Sequence, residues 1–228
     1  MTAAPVHLAG EALLLDPDGA LWWPARRLLA VADLHLEKAS HFAARGRLLP
    51  PVDSTITLDR LARVVRRHRP AIIVAVGDSF HDPEASQRLA AGDLARIRHI
   101  TSDAEMIWLL GNHDPTPPAT LPGHALPELR LGAISFRHDP TPGARGEIAG
   151  HLHPKATVRT SGASLTRSCF VADTRRILLP AFGAFTGGLD VGHPAIASLF
   201  PRHARAFLLG RDRLFSFPLA RGRASSSD

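Results

Sequence analysis

Apolar runs that stop abruptly at a carboxylate or an amide recur through the first half of this chain. Arg27-Leu28-Leu29-Ala30-Val31-Ala32 gives way to Asp33-Leu34-His35, and Ala71-Ile72-Ile73-Val74-Ala75-Val76 to Gly77-Asp78. Met106-Ile107-Trp108-Leu109-Leu110 gives way to Gly111-Asn112-His113-Asp114. Continuous aliphatic runs of this length read as strands covered on both faces. A helix from about Thr55 to Arg69 separates the first two. It places Ile56, Leu58, Leu61, Val64 and Val65 inward, with Asp53 or Ser54 as its cap. A second helix, from about Glu84 to Thr101, leads to the third strand. The order βαβαβ demands a parallel sheet with right-handed crossovers. Open α/β sheets build their sites beyond the carboxyl ends of the strands, where all these polar groups lie.

The flanking segments extend the pattern. Val6 to Leu8, Glu11 to Leu15 and Ala20 to Trp23 read as strands, with Asp16-Pro17-Asp18-Gly19 as a hairpin turn. A run from Ala133 to Arg137 ends in His138, and Glu147-Ile148-Ala149 ends in Gly150-His151-Leu152-His153. Alternation along an extended chain puts Asp33 with His35, and His151 with His153, on one side. Arg60, Arg63, Arg66 and Arg67 read as a solvated helix face, and His124 as a loop residue. A last hairpin runs from Ala206 to Pro218 around Gly210-Arg211-Asp212.

With 228 residues the chain suits one domain, 1–218, followed by a disordered tail, Leu219 to Asp228. No segment approaches the roughly 18 uninterrupted apolar residues of a membrane span, and Met1 to Gly10 does not read as a signal peptide. The expected location is cytoplasmic, with no membrane partner. Cys169 is the single cysteine, which excludes a disulfide framework and a thiolate metal cage. The formal net charge of +6 suits a polyanionic partner. Nearly all of that charge is arginine, so a GC-rich genome accounts for it equally well.

Together, Asp33-Leu34-His35, Gly77-Asp78, Gly111-Asn112-His113-Asp114, His138 and Gly150-His151-Leu152-His153 resemble the calcineurin-like metallophosphoesterases, over about residues 28–153. The resemblance narrows with Asp33-Leu34-His35-Leu36-Glu37-Lys38, Phe42 with Arg45-Gly46, Leu49-Pro50-Pro51, Gly77-Asp78-Ser79-Phe80-His81-Asp82 and Leu179-Pro180-Ala181-Phe182-Gly183. Those stretches are similar to the bacterial ligase-associated DNA damage response endonucleases (PdeM-type). The implied fold is α/β, a four-layer metallophosphoesterase sandwich of two mixed β-sheets flanked by helices. Residues 156–183 would supply strands of the second sheet. Phe182 to Gly188 would either return a loop near the site or form a plain connection.

The chemistry follows from the substrate. A phosphodiester is anionic and resists water, so a catalyst must neutralise charge and supply a nucleophile near neutral pH. Two divalent ions about 3.5–4 Å apart do both. The candidate ligands are Asp33, His35, Asp78, Asn112, His138, His151 and His153. The resemblance implies one ion on Asp33, His35, Asp78 and His153, and the other on Asp78, Asn112, His138 and His151. Imidazole and oxygen donors without sulfur suit Mn²⁺ best, with Fe²⁺ or Zn²⁺ as substitutes. His113 would give a proton or hydrogen bond to the phosphate or leaving oxygen, with Asp114 fixing its tautomer. His81, Arg137 and Lys38 are candidate substrate contacts, and Arg45 and Arg47 candidate screens for neighbouring phosphates.

The expected activity is a Mn²⁺-dependent DNA endonuclease or phosphodiesterase in repair, with single-stranded DNA as partner. Association with a DNA ligase and a helicase comes with that family, which also allows a homodimer. The alternative is a phosphomonoesterase acting on a small-molecule, lipid or protein phosphate. Against the protein phosphatases, Gly77-Asp78 is followed by Ser79-Phe80-His81-Asp82 and not by their Asp-Arg-Gly. An inactive scaffold would have lost ligands that are all present here.

Overall fold

The computed structural model describes residues 2–114, 121–159, 162–200 and 203–219. Of the expected disordered tail, Leu219 to Asp228, Leu219 is described and donates its N–H to the Ala204 carbonyl at 2.9 Å, and the rest lies outside these residues. The first half of the chain runs β1 (Ala4–Leu8), β2 (Glu11–Leu15), β3 (Leu21–Trp23), β4 (Leu28–Ala32), α1 (Lys38–Ala43), α2 (Asp53–His68) and β5 (Ile72–Val76). It continues through α3 (Ala85–Arg88), α4 (Ala91–Ile100), β6 (Glu105–Leu109) and β7 (His124–Leu126). These strands form one seven-stranded sheet in sequence order. Pairing is antiparallel from β1 to β4 and parallel from β4 to β7.

The second half supplies β8 (Leu129–Leu131), β9 (Ile134–Arg137), β10 (Glu147–Ala149), β11 (Lys155–Arg159), β12 (Ser164–Ala172) and β13 (Arg176–Leu178). After the single-turn α5 (Pro194–Ala197) come β14 (Arg205–Leu209) and β15 (Leu214–Pro218). They make a second mixed sheet in the order β15-β14-β12-β13-β10-β9-β8, with β11 paired to β12.

Alternation on the parallel strands explains the layering. Leu28, Ala30, Val74 and Ile107 face the second sheet and pack on Ile134, Phe136, Ile148, Phe170 and Ile177. The alternate residues Leu29, Val31, Ile73, Ala75 and Trp108 face out, against Leu58, Leu61 and Val64 of α2 and Ile97 and Ile100 of α4. Both faces of each central strand are therefore dry, as their unbroken apolar sequence requires. The outer face of the second sheet is covered by Ile196 of α5, Phe200 and Ala204, a thinner layer than its counterpart. Cys169 is buried in that layer, and burial pushes its thiol up to about 12.

Four local readings change. Asp53 and Ser54 lie inside the first turn of α2 rather than capping it, and their side chains fasten α1 instead. Asp53 Oδ2 accepts the Ala39 N–H at 3.1 Å, and Ser54 Oγ accepts the Glu37 N–H at 2.8 Å. Ile56 is exposed while Thr57 takes the inward position, because its hydroxyl meets the Asp53 carbonyl at 2.8 Å. The helix expected over 84–101 breaks at Leu89, whose ψ of 123° is extended. His124 pairs in β7 rather than lying in a loop.

The arginine face of α2 is not simply solvated. The Arg60 guanidinium lies 4.1 Å from the centre of the Phe182 ring. Arg67 Nη1 reaches both oxygens of the buried Asp16, at 2.7 and 2.6 Å, and His68 Nε2 lies 2.7 Å from Asp16 Oδ2. Burial alone would raise the Asp16 pKa, but His68 and Arg67 outweigh it and hold the carboxyl below its ordinary value of 3.8. Its stabilising effect is thus fully present above that value and is lost as pH falls through the lowered one. D16A is expected to cost about 2–3 kcal/mol at neutral pH, measured as a shift in urea midpoint. The difference from wild type should shrink below about pH 3.8.

Candidate metal centre

The carboxyl ends of β4, β5 and β6 in one sheet and of β9 and β10 in the other open at the same edge. Asp33 and His35 follow β4, Asp78 follows β5, and Asn112 to Asp114 follow β6. His138 follows β9, and His151 and His153 follow β10. All seven candidate ligands therefore meet at one place. Asp33, His35, Asp78 and His138 are buried there, while Asn112 is exposed.

The backbone does not reach this arrangement by extension. Asp33, His35, Asp78, His151 and His153 have positive φ, at 53°, 43°, 40°, 69° and 45°. Left-handed backbone at non-glycine residues costs about 1–3 kcal/mol each and persists where surrounding structure enforces it. Interlocking turns do so here. His35 N–H donates to the Asp78 carbonyl at 2.9 Å, and Leu36 N–H to the Ser79 carbonyl at 2.9 Å. His151 N–H donates to Asp33 Oδ2 at 3.0 Å, and His113 N–H to Asp78 Oδ1 at 2.9 Å. Gly77, at φ 69°, lies under the His138 ring so closely that any Cβ would collide with it. Only glycine meets both demands.

Three donor sets emerge from this geometry among the described residues: His35, His81 and His113 form one, and two others contain the candidate ligands. Of those two, Asp33, His35 and His153 form the first, and Asp78, His138 and His151 the second. In the first, His35 Nε2 and His153 Nε2 are 3.3 Å apart, with Asp33 Oδ1 3.6 Å from His153 Nε2. In the second, His138 Nε2 lies 3.0 Å from His151 Nδ1, 3.3 Å from Asp78 Oδ2 and 2.8 Å from Asn112 Oδ1. One nitrogen carries at most one proton, so it cannot satisfy three such neighbours by hydrogen bonding. Lone pairs converging from carboxylate, imidazole and amide are the donor set of a divalent cation, so these residues fit the metal. Asp78 Oδ2 is also 4.0 Å from His35 Nε2, which sets this carboxylate between the two sets.

The protonation states of His35 and Asp78 agree with ligation, whereas His138 would have to give up a proton to bind a cation. Burial, reinforced by His153, pushes His35 down to about 2, so the ring stays neutral with a lone pair free. Burial would raise Asp78, but the His138 hydrogen bond and charge outweigh it and hold the carboxyl at about 2. For His138 burial opposes charge, yet Asp78 and Asp33 prevail and raise it.

His113 is held differently from the expectation. Its Nδ1 bonds the main-chain carbonyl of His81 at 2.9 Å. Asp114 turns away beneath it and accepts the Phe80 N–H at 3.0 Å. Burial lifts that carboxyl to about 7 despite the hydrogen bond. Asp114 thus ties the turn after β6 to the turn after β5 and does not touch the imidazole. The cause is local: side chains at consecutive positions after β6 diverge, leaving His113 half exposed and Asp114 buried.

Of the proposed substrate contacts, His81 is at the site, with its ring stacked 5.4 Å from His113. Burial and the neighbouring His41 push it down to about 4, so it is neutral at physiological pH. Lys38 Nζ donates to the Phe185 carbonyl at 3.0 Å. Arg137 is committed elsewhere: its guanidinium binds Glu128 and, at 2.6 Å, Thr141 Oγ1. Arg45 Nη1 lies 2.5 Å from His41 Nε2, and Arg47 is exposed. One residue was missed. Asp139 Oδ1 lies 3.4 Å from His151 Nε2, where a carboxylate orients a ligating imidazole. The His138-Asp139 dipeptide was its only signal.

The calcineurin-like phosphoesterase profile matches residues 26–157, more than half of the chain. The chain belongs to the calcineurin-like phosphoesterase family. This phosphoesterase is also similar to a solved structure, the nuclease MPE of Pseudomonas putida, at 32% identity. The likeness covers 95% of this chain and 100% of that one, with a TM-score of 0.74. No curated protein matches the chain. The phosphoesterase is a metal-dependent hydrolase of phosphoesters, and the family works with divalent metal ions. Among the described residues, no helix is long and apolar enough to cross a membrane.

Proposed function

We propose that this phosphoesterase is a Mn²⁺-dependent, binuclear phosphodiesterase that cuts single-stranded DNA internally, in DNA repair. What carries the reading is the full-length likeness to a nuclease, laid over an edge where one donor set contains Asp78 and His35 of the other lies 4.0 Å from that carboxylate. Asp33, His35, Asp78 and His153 would hold one ion, and Asp78, Asn112, His138 and His151 the other. When bound, the ions supply a nucleophile at neutral pH and charge to oppose that of the phosphate.

The protein's own residues supply the rest. A carbonyl can only accept, so His113 Nδ1 donates its proton to the His81 carbonyl in this contact. The nitrogen that gains or loses a proton is therefore Nε2, which lies 4.0 Å from Asp78 Oδ2 at the mouth of the site. That nitrogen protonates the leaving oxygen. His81, neutral and stacked on His113, keeps the ring plane fixed. Asp114 holds the His113 turn in register through the Phe80 N–H, which replaces the tautomer-fixing role expected for it.

Single-stranded circular DNA tests the reading, because it has no ends. Chelator-treated protein is expected to be inactive and to recover best with Mn²⁺. The reconstituted protein should linearise the circle, with duplex a poorer substrate. Cleavage should weaken steeply with salt if several phosphates are neutralised. An intact circle beside rapid phosphate release from a panel of phosphomonoesters would overturn the proposal in favour of a phosphomonoesterase.

A further inference from the structure

The loop Phe182 to Gly188 runs beside the metal centre and has no role in it so far. Both of its ends are fastened to ligand turns. Gly183 N–H donates to the Asp33 carbonyl at 3.0 Å. At the other end, Gly188 packs against the His153 carbonyl too closely for any Cβ. The loop thus spans Asp33 and His153, two members of one donor set.

Its middle is held by the only two lysines in the chain. Lys38 Nζ donates to the Phe185 carbonyl at 3.0 Å, and Lys155 Nζ to the Thr186 carbonyl at 3.1 Å. Thr186 Oγ1 closes the turn on the Gly183 carbonyl at 2.9 Å. Between them Phe185 takes a left-handed backbone, φ 57°, and is 48% exposed. Isolated exposed apolar residues are ordinary. An aromatic one in a conformation that L-residues rarely adopt, pinned by two ammonium groups at a metal site, is not.

We infer that Phe185 is the platform on which a nucleobase next to the scissile phosphate stacks. Lys38 and Lys155 hold the platform and present positive charge to the neighbouring phosphates. Each ammonium has three donors and gives one to the loop, and Lys38 also faces the Asp53 carboxylate. Two like charges converging on one loop repel, and an anion between them relieves that repulsion. Every base has a π-face, so stacking is tolerant of sequence. A base inside a duplex is already stacked and paired and cannot be offered to the ring. Phe185 therefore selects single strands without reading sequence, a role that rests on the nuclease activity proposed above.

The test compares two single-stranded oligonucleotides that differ only in carrying bases or abasic sites, cleaved with Mn²⁺. Wild type should prefer the base-bearing strand in kcat/KM by roughly tenfold or more. In F185A that preference should collapse toward one, while F185W keeps it. If F185A does not fold, F185L, which keeps apolar bulk without the ring, should show the same collapse. A preference that survives either variant, or an equal loss on both strands, overturns the assignment of Phe185 and leaves the nuclease reading standing. Failure of wild type to cut either strand overturns both.

Discussion

Replacing Asp78 is expected to abolish turnover, because the proposed two-ion site uses this one carboxylate for both ions. Its Oδ2 lies 3.3 Å from His138 Nε2 and 4.0 Å from His35 Nε2, while Oδ1 accepts the His113 N–H at 2.9 Å. An ion at such a site contributes several kcal/mol to the transition state, and each tenfold in rate is worth about 1.4 kcal/mol. D78A should therefore lose roughly 10³-fold or more in kcat, and metal content per chain should fall with it. Because Asp78 is buried and bonded to a neighbouring turn, D78A also risks the fold. D78N keeps the shape and an oxygen for the His113 N–H but cannot bridge as a carboxylate does. Full activity with full metal occupancy in D78N would sink the shared-ligand reading.

The sequence revealed the strands more completely than the turns between them. Leu28 to Ala32, Ile73 to Val76 and Met106 to Leu109 are dry on both faces, and continuous apolar sequence is the direct mark of that environment. The ends of those strands were legible for the same reason, since a carboxylate cannot remain in such a run. The backbone there was not. Alternation in an extended chain does place Asp33 with His35, yet both residues, with Asp78, His151 and His153, are left-handed. That conformation comes from hydrogen bonds between turns far apart in sequence, such as His151 N–H to Asp33, which no local pattern encodes.

Side-chain roles failed where a tertiary partner outbid a sequence neighbour. Adjacency in sequence pairs Asp114 with His113, but the carbonyl of His81 holds the imidazole. Asp53 and Ser54 look like caps of the helix they begin, but they fasten α1 through Ala39 and Glu37. Arg137 looks like a free phosphate ligand, but Glu128 and Thr141 occupy it. Each difference has one cause: a polar side chain at a strand or helix end has several partners within reach, and tertiary packing chooses among them.

His113 offers the sharpest separation of chemistry from metal binding. Its ring hangs from the His81 carbonyl by Nδ1, and its Nε2 stands 4.0 Å from Asp78 Oδ2 without belonging to either of the two interlocked donor sets. It can also be grouped with His35 and His81 as a third possible set of donors, so ligation is the reading to exclude. His113→Ala is expected to keep its full complement of Mn²⁺ by elemental analysis while kcat on DNA falls by roughly 10²–10⁴-fold, the usual worth of general acid catalysis. The loss should be much smaller on a phosphodiester whose leaving group is a nitrophenolate, because that oxygen leaves without a proton. Equal losses on both substrates, or loss of metal with the imidazole, would make His113 a ligand or a charge stabiliser rather than the acid. The proton is expected at Nε2 because the carbonyl below the ring leaves it no other nitrogen.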